Sequence, residues 1–174
     1  MANFLLSVTY VLENEGGYVF DKADAGGCTN MGITLATLTT FRKVGCTIDD
    51  IKNITKEEAT EIYYQLFYRP LRLMFVRSNN IATAIMDVAV NSGNRNSVIF
   101  AQRTLIKLLF DTGVAGKMDD TTIESLNKVD QAQFIDAFEV FVMRHYHDIV
   151  LRYPIDAKFL HGWSNRAGRL LTLK

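Results

Sequence analysis

The chain has 174 residues, 48% hydrophobic and 22% charged, with 19 Lys and Arg against 19 Asp and Glu. That length suits one domain with a sizeable core, and only 2 Pro and 11 Gly exclude collagen-like or disordered character. Net neutrality argues against a nucleic-acid binder and against stable association with anionic membranes, and no run approaches the ~20 apolar residues of a membrane span.

The neutrality is a sum of unlike ends. The first 60 residues hold eight carboxylates against five Lys and Arg. The stretch after Met143 holds Arg144, Arg152, Lys158, Arg166, Arg169 and Lys174 against Asp148 and Asp156. Cys28 and Cys46 do not make a disulfide framework, and two free thiols are expected. The N-terminus lacks the basic region of a secretory signal. The expectation is a monomer made in the cytoplasm without a signal peptide.

Helical periodicity dominates the chain. Phe4, Leu5, Val8, Val11 and Leu12 form one apolar stripe, and Gly16-Gly17 is expected to end that helix in the left-handed conformation. Residues 16–34 carry five glycines with Asp21 and Asp24, which reads as a hairpin or an ordered loop. Thr34 caps a short helix to about Phe41. Thr55 and Glu58 form a capping box for a helix with Ala59, Ile62, Leu66 and Phe67 inward, stopped by Pro70.

Further helices are expected at 80–92, at 98–110 behind a Ser97 cap with Val98, Ala101, Leu105, Leu108 and Leu109 inward, and at 120–128. Asp130 and Gln133 make another capping box, opening a helix to about Arg152 with Phe134, Ala137, Phe138, Phe141, Val142 and Ile149 as its core. A last helix covers about 158–172. The fold class is mainly α, with a Gly-rich polar insertion after the first helix, and ordered polar loops on rigid scaffolds commonly carry sites.

Glu15 sits at the C-terminal edge of the first helix, where the dipole disfavours added negative charge, and burial under the loop would disfavour it further. A carboxylic acid that keeps its proton near neutral pH is what cleavage of a glycosidic bond requires. Asp21 and Asp24 lie six and nine residues on, and either is a candidate partner carboxylate. Thr29 and Asn30 offer groups able to hold a water or an acetamido group. A solvated loop whose acids merely make turns is the competing reading.

These residues resemble a known signature. Glu15 to Tyr18 (EGGY), then Asp21, Asp24 to Thr29 (DAGGCT) and Gly32 to Thr34 (GIT) resemble glycoside hydrolase family 108, the phage endolysins and bacterial N-acetylmuramidases. The stretch Asp87 to Gly93 (DVAVNSG), the Gly113 to Ile123 turn and Phe159 to Arg166 (FLHGWSNR) resemble the family's C-terminal peptidoglycan-binding region. The chain departs from the pattern at Ala25 and Cys28, both small changes.

The resemblance implies a lysozyme-like helical domain, with a catalytic lobe at 1–80 bearing the acid loop 15–34 and a binding region at 81–174. It implies cleavage of the β-1,4 bond between N-acetylmuramic acid and N-acetylglucosamine, with Glu15 as general acid and Asp24 and Thr29 beside it. Eight residues separate Glu15 from Asp24, but only four separate Asp24 from Thr29, against five in another phage lysozyme family, so Asp21 stays a live substitute. Peptidoglycan glycan strands are the expected partner, reached after holin-type release or other export and followed by cell lysis. No metal or cofactor is implied. A lytic transglycosylase or a non-catalytic peptidoglycan-binding module are the alternatives.

Other candidates carry a bland reading beside the sharp one. Tyr18 is a candidate for substrate binding, and Tyr63, Tyr64 and Tyr68, the last two four residues apart on one helix face, either line a sugar cleft or pack as core with their hydroxyls outward. Asn91 and Ser92 either bond substrate or end a helix. His145 and His147 are two apart and face different ways, against the spacing of a zinc site. Trp163 with Arg166 and Arg169 either makes a glycan or anionic-wall surface, or Trp163 is a core anchor.

Overall fold

The computed structural model describes residues 1–20 and 27–174, so Asp21 and Asp24 lie outside the described residues. Helix α1 (Phe4–Asn14) starts where the Asn3 side chain accepts the Leu5 N–H at 2.9 Å, and it buries Val8 and Val11. It ends at Glu15, whose backbone turns extended (φ −90°, ψ 141°) while its N–H still bonds the Val11 carbonyl. Gly16 and Gly17 do not adopt positive φ. The expected glycine stop is therefore replaced by a break at the glutamate itself, which frees Glu15 from the helix and turns it toward the interior of the fold.

Strands β1 (Val19–Phe20), β2 (Cys28–Asn30) and β3 (Ile33–Thr34) form a three-stranded antiparallel sheet in that order. Thr29 pairs with Val19 on one side and Thr34 on the other, and Asn30 with Ile33. The two-residue turn between β2 and β3 has positive φ at both Met31 (48°) and Gly32 (72°), the primed turn that matches strand twist.

Thr34 then caps α2 (Leu35–Arg42), accepting from the Thr37 N–H. A short α3 (Ile48–Lys52), not foreseen in the sequence, carries the reciprocal capping box between Thr47 and Asp50. Thr55 caps α4 (Lys56–Tyr63) as expected, but the Glu58 carboxylate turns to Arg42 instead of completing a box. The chain continues through a π-helical turn at Tyr64–Tyr68, just short of Pro70.

The centre of the molecule is α5 (Asn79–Ser92), in which every residue from Ile81 to Ala89 is buried. A helix apolar on nearly all sides must be surrounded, and α1, α6 (Asn94–Lys107) and α8 (Gln131–Arg152) pack around it. Helix α6 begins directly after Gly93, so Ser97 is no cap; its hydroxyl is buried and donates to the Ile85 carbonyl at 2.6 Å. Leu109 was expected inward but is 94% exposed with φ 69°, because α6 stops at Lys107 and the chain turns out.

Helix α7 (Asp120–Leu126) is capped by Asp119. Gln102 holds the preceding turn by accepting from the Gly116 N–H and donating to the Lys117 carbonyl. The expected last helix is α9 (Leu160–Arg169) between two 3-10 turns. Cys28 and Cys46 are free thiols. No described helix is long and apolar enough to cross a membrane.

Candidate active site

Three elements far apart in sequence meet at Glu15. Arg166 on α9 forks onto Asp87 of α5, with Nε to Oδ2 at 3.1 Å and Nη2 to Oδ1 at 2.9 Å, a bidentate charge-assisted pair. Its remaining nitrogen, Nη1, donates to Glu15 Oε1 at 2.6 Å. Asp87 is 1% exposed and also accepts from the Asn14 amide at 3.2 Å. An unpaired carboxylate could not be held at that depth.

Burial works against the Arg166 charge, but the carboxylates of Asp87 and Glu15 outweigh it and raise its pKa above the ordinary arginine value. The guanidinium is thus a fixed charge tying α1, α5 and α9 together. Glu15 is bonded by a cation where the sequence suggested cover by the loop.

The β2–β3 turn closes over the other side of Glu15. A Cβ on Gly32 would lie 2.5 Å from the Tyr63 hydroxyl and 2.6 Å from Glu15 Cδ. Only glycine meets both the positive φ and this close approach. Tyr63 donates to the Met31 carbonyl at 2.8 Å, and burial, then the nearby Glu15 charge, push its phenol well above the usual range. It remains a neutral donor that pins the turn.

Arg166 also lines a cavity of about 230 Å³, together with Asn14, Asn91, Trp163 and Arg169 among others, so Glu15 is linked to this space through its guanidinium partner. The Trp163 ring stacks on Tyr146 of α8 with centroids 5.5 Å apart, and the Tyr146 hydroxyl accepts from the Asn91 amide at 2.7 Å. An aromatic wall beside amides and a guanidinium-bound carboxylate suits a polar ligand with apolar ring faces.

The remaining expected residues divide. Thr29 is half-buried on β2, in the lobe that carries the turn. Tyr18 is exposed, with the Lys52 ammonium 5.7 Å above its ring. Asn91 reaches the cavity. Asn30 is used internally, its amide donating to the carbonyls of Ile51 and Lys52 at the end of α3.

Tyr64 and Tyr68 pack against the start of α1. Phe4 meets their rings at 5.1 and 5.0 Å, and the Tyr68 hydroxyl donates to the Ala2 carbonyl. Ser92 is likewise no cavity residue, for its hydroxyl is buried at the end of α5. Reasoning from sequence missed Asp87 as a site residue, and weighed Tyr63 as a cleft tyrosine and Arg166 as a glycan or wall surface, not as partners that hold Glu15 and the turn. The signal for Asp87 and Arg166 lay in stretches read for other reasons.

Residues 8–93 match the family model for glycosyl hydrolase 108. That segment belongs to the family. Residues 96–168 match the model described as a predicted peptidoglycan domain. The solved structure of Brucella abortus SagA is similar at TM-score 0.84 and 25% identity, over 97% of this chain and 91% of that one. No curated protein matches. The chain is a glycoside hydrolase with the helical fold expected, and peptidoglycan is its substrate. Asp87, Trp163 and Arg166 all lie in the motifs that resembled the C-terminal region, yet Asp87 falls inside the hydrolase match and helps hold Glu15.

Proposed function

We propose that this hydrolase cuts the β-1,4 bond between N-acetylmuramic acid and N-acetylglucosamine, and that Glu15 protonates the leaving oxygen. The observation that carries this reading is the place of Glu15. It leaves α1 at its C-terminus, is 16% exposed at its side chain, and is bonded to an arginine that lines the cavity. A carboxyl group so held is fixed in place by an arginine that faces a space for a sugar, which is the positioning that general acid catalysis needs.

Asp87 is not the second carboxylate of the reaction, since Arg166 and Asn14 take its oxygens. Activation of water falls to an acid of the loop, Asp24 or in its place Asp21, with Thr29 on β2 beside that loop. Lysis of cells follows from cutting the glycan.

The test is digestion of purified sacculi by the wild type and by Glu15→Gln. Release of reducing ends should fall roughly 10²–10⁴-fold in the variant with the fold intact. Mass spectrometry should find muropeptides ending in reducing N-acetylmuramic acid. Wild-type rates from Glu15→Gln would remove the acid from this role, and 1,6-anhydro products would replace hydrolysis by transglycosylation.

A further inference from the structure

A second and larger cavity, about 340 Å³, lies between α6 and α8 and shares no lining residue with the cavity beside Glu15. Consecutive residues of α8 serve the two. His145 packs on Phe100 of α6 at 5.0 Å beside the larger cavity, while Tyr146 stacks on Trp163.

The lining has a distinct character. Phe100, Ile99, Phe141 and Ile149 supply apolar surface, and Arg103, Arg144 and Arg152 stand around it with Asp148. Arg144, Asp148 and Arg152 are spaced four apart, so they rise along one face of α8, with Arg103 opposite on α6. Each of these arginines is exposed, and among the described residues none of the three is in an ion pair, unlike Arg42, Arg72 and Arg166 but like the other arginines of the chain. Burial lowers the His145 pKa, so the positive charge near neutral pH rests with the guanidiniums. A neutral chain thus gathers three cations against one carboxylate around one hollow.

We propose that this groove is an accessory site for the carboxylate-bearing peptide stems of peptidoglycan, separate from the glycan site. The inference rests on peptidoglycan being the substrate. The glycan backbone offers mainly hydroxyls and acetamido groups, whereas the stems carry several free carboxylates, and guanidinium forks bind carboxylates with two parallel bonds. The apolar floor suits the aliphatic parts of the stem residues. The groove also falls wholly within the part matching the peptidoglycan domain. Its work is to hold the enzyme on the wall while Glu15 acts on the glycan.

The test compares Glu15→Gln with and without Arg103→Ala, Arg144→Ala and Arg152→Ala together. Both are sedimented with intact sacculi and with bead-bound glycan strands stripped of stems by an amidase, the lactyl carboxylates freed by that cleavage being capped as amides. Binding to intact sacculi should fall about tenfold in the arginine variant, equal to about 1.4 kcal/mol, and binding to stripped strands should not change. With Glu15 restored, the arginine variant should hydrolyse stripped strands at the wild-type rate, which also reports that it folds. Unchanged binding to intact sacculi, or an equal loss on stripped strands, would overturn the stem site. So would a loss seen equally with vesicles of anionic phospholipid, which would make the groove a lipid-surface contact. If wild-type enzyme released no reducing ends from either substrate, the hydrolytic proposal would fall, and the sedimentation comparison would still decide the groove.

Discussion

The molecule contains two arginine clamps of the same design. Arg42 forks onto Glu58, at 2.8 and 2.9 Å, and gives its third nitrogen to Asp50 at 2.8 Å. Arg166 forks onto Asp87 and gives its third nitrogen to Glu15. The first joins residues 8 and 16 positions apart, and its side chains are 25–36% exposed. The second spans 79 and 151 positions, and its members are 2–16% exposed. Identical chemistry thus has two meanings. Near water it is a local brace among α2, α3 and α4, largely screened. At depth it joins three distant helices and fixes the carboxylate beside a cavity.

The largest expected effect comes from Asp87→Ala, which would leave the Arg166 charge buried beside Glu15 alone. A loss of about 3–5 kcal/mol should appear in the denaturant midpoint. Gly32→Ala comes next. Its Cβ would collide with Tyr63 and Glu15 at a positive φ, so a cost of roughly 3 kcal/mol is expected, with activity per folded molecule falling as Glu15 is displaced. Arg42→Ala should cost only about 1 kcal/mol and leave activity unchanged.

The smallest effect is one of pH. The Arg42 hydrogen bonds, followed by its charge, lower the Glu58 pKa below its ordinary 4.5. A lowered folded value means stability present above 4.5 and lost as pH falls through the folded value. The gap between wild type and Arg42→Ala should therefore narrow between pH 7 and about pH 3 in denaturant titrations; a constant gap would show that the Arg42 clamp acts through packing.

Local signals made much of the fold legible. Caps at Thr34, Thr55 and Asp130 and the apolar stripes located the helices, because these depend on residues three or four apart. The place of Glu15 at a helix end was legible for the same reason. Its partner was not. Nothing in the periodicity of α9 or α5 says that Arg166 and Asp87 meet, since that contact is made by packing around a central helix. Tyr64 and Tyr68 show the limit from the other side. Their spacing told that they share a face, but Phe4, sixty residues earlier, decided that the face is covered. Gly32 was visible in a motif, yet the reason for it, the Glu15 carboxyl 2.6 Å from its absent Cβ, belongs to the tertiary structure.

The most direct test replaces each arginine by lysine and measures release of reducing ends from sacculi per folded molecule, across pH. Lysine keeps the charge but cannot fork onto one carboxylate while reaching another. Arg166→Lys should lower kcat by about tenfold or more and displace the pH profile, and Arg42→Lys should stay within about twofold of wild type on both counts. An Arg166→Lys enzyme with wild-type kcat and an unmoved profile would contradict the reading that the buried clamp positions Glu15 for catalysis.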